Sequence, residues 1–179
     1  MTGTGSHRQV TSLSFLQESY LISDDLEIRR LFDPRDPDVT ALVAKSDEYM
    51  SSLYPPASNH VESMDVLVSE NSAFFVGYVG AELVVCGAAK IARDDGIYGE
   101  IKRVFVAEEH RGRNLATVIM EHLEDHLRRS GIDTVRLEAG PKQPAALSFY
   151  RKLGYTERGP FGRYIDDPLS VFMEKTLSD

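Results

Sequence analysis

The sequence predicts one α/β domain in which a mixed sheet is covered by helices. Three observations carry this. Of 179 residues, 42% are apolar and 27% charged, a globular composition long enough for one sizeable core. The run 73–106 holds three Val- and Phe-rich segments separated by short turns, which implies antiparallel strands. The run after it alternates helix-like and strand-like patterns, which implies some parallel pairing.

The elements follow in order. Residues 1–24 are polar and aperiodic and read as an N-terminal extension, a tail or loosely held segment, leaving 25–179 as the domain. LEIRRLF (26–32) reads as a first strand. DPDVTALVAKSDEYMSSLYP (36–55) reads as a helix, with Asp36 as N-cap, Pro37 in the first turn, and Pro55 and Pro56 ending it. NHVESMDVLVSE (59–70) reads as a shorter second helix. Strands at 73–79 and 82–92 form a hairpin, RDDG (93–96) turns the chain, and 97–107 is a further strand. A helix over about 112–130 stops at Gly131. Residues 133–140 read as a strand, 143–154 as a helix closed by Gly154, and 168–177 as the last strand, with room for an extra strand near 155–161.

Charge and cysteine usage exclude several functions. A net charge of −8 argues against general nucleic-acid binding, which needs a broad basic surface. Cys86 stands alone, so neither an intrachain disulfide nor a cysteine-rich metal site is expected. The first residues hold no apolar stretch of signal-peptide length. The apolar run AFFVGYVGAELVVCGAAKIA (73–92) is broken by Gly80, Ala81 and Glu82 and suits two strands better than a membrane span. A soluble, cytoplasmic protein without membrane attachment is expected. Of the histidines at 7, 60, 110, 122 and 126, only His122 and His126 form an i, i+4 pair; without a third ligand they read as a surface pair, and no metal is expected.

The stretch EHRGRNLATVIMEHLEDHLRRSG (109–131) is the most informative. Leu115, Ile119, Leu123 and Leu127 recur every four residues, and Val118 and Met120 widen that stripe, which packs on the sheet. Glu121, Glu124, Asp125, Arg128 and Arg129 are expected to face water. A helix start leaves backbone N–H groups unpartnered at the positive end of the macrodipole, so it suits an anion. Gly112 allows close approach, and Arg111 and Arg113 add charge that can meet phosphate oxygens. The same six residues, RGRNLA, also suit a solvated loop ahead of a core helix.

With its preceding strand, EIKRVFVAEEHRGRNLA (100–116) resembles the acetyl-CoA-binding core of the GNAT superfamily of acyltransferases. There a Val-x-Val strand, here Val104, Phe105 and Val106, runs into a loop of the form Arg/Gln-x-x-Gly-x-Gly/Ala that opens a long helix. The loop residues here are Arg111, Gly112, Arg113, Asn114, Leu115 and Ala116. Asn114 departs from the pattern, standing where the central glycine is usual; asparagine tolerates left-handed backbone angles. QPAALSFYRKLGY (143–155) is similar to the family's second segment, Asn-x-x-Ala-x-x-x-Tyr followed by Gly-Phe or Gly-Tyr, with Gln143 in place of Asn, then Ala146 and Tyr150 on one helical face.

The resemblance implies the GNAT fold: a mixed, mostly antiparallel, twisted sheet of six or seven strands flanked by about four helices, with strands splayed at the acetyl-CoA site. It implies acetyl-CoA as co-substrate, held by the strand and loop residues just named together with Gln143 and Ala146, and no metal. It implies transfer of an acetyl group to a primary amine of a small molecule. Glu100 is the candidate base and Tyr150 the candidate acid toward the thiolate; a backbone N–H of 104–106 would stabilise the oxyanion. Glu100 could instead be a strand glutamate paired with Lys102, and Tyr150 a core tyrosine. SLYPPASNH (52–60) and GPFGRYIDDPLS (159–170) fall where the acceptor walls belong, so Tyr54, His60, Arg103, Arg163 and Tyr164 are candidate acceptor contacts, each equally suited to a structural role. Arg103 and Arg163 would suit a carboxylate; Asp166 and Asp167 would suit a polyamine or aminoglycoside. A non-catalytic acyl-CoA sensor, a protein or peptide amine acetyltransferase, and a domain with no nucleotide ligand stay open, as does a homodimer.

Overall fold

The computed structural model describes residues 19–23, 26–33, 35–58 and 62–177. Among these, eight strands form one sheet: β1 (Ser19–Ser23), β2 (Leu26–Leu31), β3 (Ser72–Val79), β4 (Glu82–Ala92), β5 (Tyr98–Val106), β6 (Thr134–Ala139), β7 (Thr156–Arg158) and β8 (Val171–Thr176). Their spatial order is β1-β2-β3-β4-β5-β6-β8-β7, and β5–β6 is the one parallel pair. The α-helices are α1 (Pro37–Leu53), α2 (Met64–Leu67), α3 (Leu115–Arg129) and α4 (Pro144–Lys152).

Helices cover both faces because β3 alternates. Phe74 and Val76 face Val39, Leu42 and Val43 of α1 and Leu67 of α2. Ala73 and Phe75 belong to the opposite core, with Leu115, Ile119, Leu123 and Leu127 of α3. Those three leucines and one isoleucine are all buried, each contributing about 1.5–3 kcal/mol by leaving water. Asp36 caps α1 as expected, its Oδ1 accepting from the N–H groups of Asp38 at 3.0 Å and Val39 at 3.3 Å.

Three expectations need correction. Residues 19–23 are not tail: they pair antiparallel with β2 and raise the strand count to eight. An edge strand forms through backbone hydrogen bonds, which leave no periodic signature in side chains. Of the helix expected over 59–70, residues 59–61 lie outside the described residues, and 62–70 hold a single turn at Met64–Leu67. Ser63 is extended (φ −68°, ψ 152°), and the Glu62 carbonyl is turned to the Arg103 guanidinium, at 2.9 Å from Nη2, instead of a helical partner. Glu124 does not face water. It is 8% exposed and accepts from the Tyr155 hydroxyl at 2.9 Å and the Lys175 ammonium at 2.7 Å. A fully partnered carboxylate can sit on the apolar side of a helix, and its partners come from elements remote in sequence.

The feature that makes a site is a gap in the sheet. β5 pairs with β6 only from Gly99–Ile101 opposite Val135–Leu137. Beyond that point β6 follows β8 to Ala139, while β5 follows β4 to Val106. At the parting point β5 is bulged: Ala88 opposes Lys102 and Cys86 opposes Phe105, so Gly87 faces two residues, Arg103 and Val104. Arg103 absorbs the extra residue with a left-handed backbone, φ 53°.

Candidate active site

The gap opens onto the start of α3. The Ala107 N–H donates to the Val84 carbonyl at 2.9 Å, so 84/107 and 86/105 are the hydrogen-bonded pairs. The N–H and C=O of Val106 therefore point away from β4, into the gap. The turn that follows is left-handed twice, at Gly112 (φ 76°) and at Asn114 (φ 63°, ψ 11°), the N-cap of α3. A Cβ at Gly112 would meet nothing within 4 Å, so conformation rather than space favours glycine there. Asn114 makes no side-chain cap hydrogen bond. The left-handed backbone expected of the usual glycine is present here on asparagine, one of the few non-glycine residues that tolerate it. The Thr117 and Val118 N–H groups both reach the Asn114 carbonyl, leaving those of Leu115 and Ala116 without intrahelical partners at the positive end of the helix.

These groups bound a cavity of about 560 Å³. It brings together Val104, Phe105, Val106, Arg111, Gly112, Asn114, Leu115 and Ala116 from the strand and loop, and Gln143, Ala146 and Tyr150 from the second motif. Arg113 does not line it; its Nη1 lies 2.8 Å from His110 Nδ1, within the loop. Arg111 lines the cavity, but its Nε donates to the Val106 carbonyl at 3.3 Å and its guanidinium lies over Tyr49 and Phe105. Tyr49, Lys142 and Phe149 also line it and were not singled out from sequence. Nothing in the local pattern of α1 shows that it crosses the end of β5.

A second, smaller chamber of about 130 Å³ lies deeper. It shares Val104, Gln143, Ala146 and Tyr150 with the first cavity. Its other walls include Ser46, Asp47 and Met50 of α1, Lys102 and Arg103 of β5, Glu138 of β6, and Tyr164. Tyr150 is thus at the junction of the two. Burial pushes its phenol upward, with the Glu138 carboxylate adding to the effect, so it stands as a neutral donor. Beyond this chamber lies an outer cleft of about 860 Å³ walled by Glu62, Lys90, Asp94, Glu100, Lys102, Arg163 and Tyr164, among others.

Glu100 sits between, 6% exposed. Its Oε1 accepts from the Tyr164 hydroxyl at 2.7 Å and from Lys102 Nζ at 3.0 Å, and Lys102 also donates to the Tyr164 oxygen at 2.7 Å. The Lys102 partnership read from sequence is present, with Tyr164 as a third member that sequence could not place. Burial, then the Glu100 charge, raises the Tyr164 phenol far above its ordinary value.

The other acceptor candidates scatter. Tyr54 is buried, and its hydroxyl accepts from the Lys142 N–H at 2.9 Å; it lines none of these cavities and instead anchors the loop before α4. Arg103 lines the small chamber, but its guanidinium is held by Asp47 at 2.6 Å and by the Glu62 carbonyl. Tyr54 thus takes the structural role that the sequence equally allowed, while Arg103 stays on the chamber wall with its guanidinium bonded internally. Arg163 is 95% exposed at the rim of the outer cleft, 3.9 Å from Asp94. His60 lies outside the described residues. His122 and His126 flank the Phe75 ring, at 6.0 and 5.9 Å, and no cluster of three or more metal-ligating side chains occurs among the described residues. Cys86 is fully buried and its thiol is pushed up to about 12 by desolvation, so it is no nucleophile. No helix among the described residues is long and apolar enough to cross a membrane.

A splayed sheet, a left-handed turn into a helix N-terminus, and a tyrosine at the junction of two cavities define an acyl-CoA-dependent acyltransferase. Comparison with known proteins agrees. The Acetyltransferase (GNAT) family matches residues 26–155. The chain is 40% identical over 139 residues to an IAA acetyltransferase of Azospirillum brasilense, covering 78% of this chain and 90% of that one. A Klebsiella pneumoniae structure described as an acyl-CoA N-acyltransferase superposes with a TM-score of 0.69 at 33% identity, covering 84% of this chain and 97% of that one. The PaiA N-acetyltransferase of Thermoplasma acidophilum, solved with coenzyme A, shares the fold with a TM-score of 0.68 at 18% identity, covering 85% and 99%. The chain belongs to the GNAT family and is an acetyl-CoA-dependent N-acetyltransferase.

Proposed function

We propose that the acceptor is a primary amine of a small molecule and that the transfer is direct, with Glu100 as base and Tyr150 as acid. The observation that carries this is the position of Tyr150, which lines both the cofactor cavity and the small chamber. Acetyl-CoA supplies an acetyl thioester and fits the first cavity by its donor set: unpartnered N–H groups at the start of α3 for diphosphate, and the open edge of Val104–Val106 for an extended amide-bearing arm. The chamber, at about 130 Å³, admits the reacting end of an acceptor and little more.

The protein's groups then have distinct tasks. Walls contributed by α1, β5, β6 and α4 hold the amine against the reacting carbon; such positioning contributes about 7–11 kcal/mol. A backbone N–H of 104–106 stabilises charge developing on the carbonyl oxygen, an interaction worth roughly 3–4 kcal/mol where measured elsewhere. Glu100 receives the proton that a lysine-like amine, with a pKa of about 10, must lose. Tyr150 donates its proton to the departing sulfur and is restored by the proton that the nitrogen releases as the amide forms. The burial of Cys86 supports direct transfer over an acyl-enzyme.

The test begins with a thermal melt. Acetyl-CoA at about 100 times its Kd should stabilise by ~2.7 kcal/mol. At this length that is a Tm shift of roughly 5–10 °C. Free-thiol release is then followed with small amines and with peptides bearing N-terminal or lysine amines. Turnover of small amines is expected; turnover confined to peptides would overturn the acceptor class.

A further inference from the structure

Glu100 does not line the chamber next to Tyr150. It lines the outer cleft. Two of its hydrogen-bond partners, Lys102 and Tyr164, line both spaces. An amine close enough to Tyr150 and Val104 to react is therefore separated from the carboxylate that is to deprotonate it, and the groups standing between are a hydroxyl and an ammonium. Lys102, as a cation, can only donate; Tyr164 can accept and donate at once.

From this arrangement we infer that Tyr164 is a catalytic proton relay between the acceptor amine and Glu100, with Lys102 as its positioning residue. This rests on the reading of Glu100 as base. The step balances. An N–H bond of the acceptor ammonium breaks and an O–H bond forms on Tyr164; the original Tyr164 O–H breaks and its proton joins Glu100 Oε1, 2.7 Å away. The net result is a neutral amine in the chamber, an unchanged tyrosine and a protonated Glu100. Glu100 then returns the proton to water in the outer cleft of about 860 Å³, so proton exit and acetyl transfer occupy different spaces.

The surroundings fit a relay. The Tyr164 ring is clamped by Phe161 and Phe172, with ring centroids at 5.0 and 5.3 Å, in a cluster separate from the two main cores. This fixes the ring, while the hydroxyl keeps its polar partners Glu100 and Lys102. Lys102 donates to both oxygens of the pair, at 2.7 and 3.0 Å, and holds them in register. Because burial and the Glu100 carboxylate keep Tyr164 protonated, the two transfers occur together and no free tyrosinate accumulates.

The experiment compares Tyr164→Phe with the parent in free-thiol release from acetyl-CoA. Benzylamine, ethanolamine and putrescine serve as ammonium probes, and benzoic hydrazide as a probe whose amine is already neutral. Tyr164→Phe should lower kcat roughly 10- to 100-fold with the ammonium probes and less than about threefold with the hydrazide. The KM and thermal shift for acetyl-CoA should stay unchanged, which shows the variant is folded and loaded. Glu100→Gln should show the same pattern, and the double variant should be no worse than either single one. Equal loss with both probe types, no loss at all, or losses that multiply in the double variant would overturn the relay while leaving the acetyltransferase intact. A harmless Glu100→Gln in an active enzyme would overturn the base and the relay together. A parent that binds acetyl-CoA yet turns over none of the probes would overturn the small-amine reading along with them.

Discussion

Replacing Asn114 isolates the role of a single backbone conformation. The residue is exposed, makes no cap hydrogen bond and sits at φ 63°, so neither burial nor side-chain bonding enters the balance. An L-residue pays about 1–2 kcal/mol to adopt this region, and asparagine pays less than most. Asn114→Ala should therefore destabilise the fold by about 1 kcal/mol, which at this length lowers Tm by roughly 2–4 °C. Asn114→Gly removes the strain but frees the unfolded chain, and the two nearly cancel, leaving it within about 0.5 kcal/mol of the parent. The same turn sets Leu115 and Ala116 on the wall of the cavity proposed for acetyl-CoA, so Asn114→Ala should also weaken acetyl-CoA binding several-fold and Asn114→Gly should not. Thermal denaturation and calorimetric titration of acetyl-CoA read both effects. An Asn114→Ala variant that melts with the parent and binds equally well would refute the claim that the turn depends on a left-handed residue.

Other predictions follow from single contacts. Tyr150→Phe should lower kcat by about 10²-fold with little change in acetyl-CoA affinity, measured by steady-state kinetics and titration; equal loss of both would remove the acid role. Gly140→Ala would place a Cβ 2.0 Å from the Tyr54 hydroxyl and 2.1 Å from its ring carbon Cζ. The loop before α4 must shift, at about 1–3 kcal/mol, and Tyr54→Phe in the same chain should not rescue the Tm because the ring itself collides. Cys86, with its folded pKa raised to about 12, stays a thiol far above the ordinary value of about 8.5. Its contribution to stability is complete below pH ~8.5 and is lost as pH rises toward 12, so Cys86→Ala should flatten the alkaline fall in stability relative to the parent. Rapid reaction of native Cys86 with a thiol reagent at pH 8 would contradict its burial.

Local sequence determined a great deal here. Hydrophobic periodicity placed α3 and the hairpin strands, Asp36 and Pro37 began α1, and the two motifs around Gly112 and Tyr150 marked residues that line one cavity, because those signals lie within a few residues and depend on backbone geometry and helix faces. What tertiary structure decided was everything requiring one segment to meet another. Glu124 became buried because Tyr155 and Lys175 arrive to satisfy it. Tyr54 and Arg103 turned inward because Lys142 and Asp47 meet them. Glu100 lines the outer cleft and not the small chamber, and its hydrogen-bond partner Tyr164 lies 64 residues further along the chain. A side chain's partners across such distances are set by how strands splay and helices cross, and no local pattern in the chain encodes that meeting.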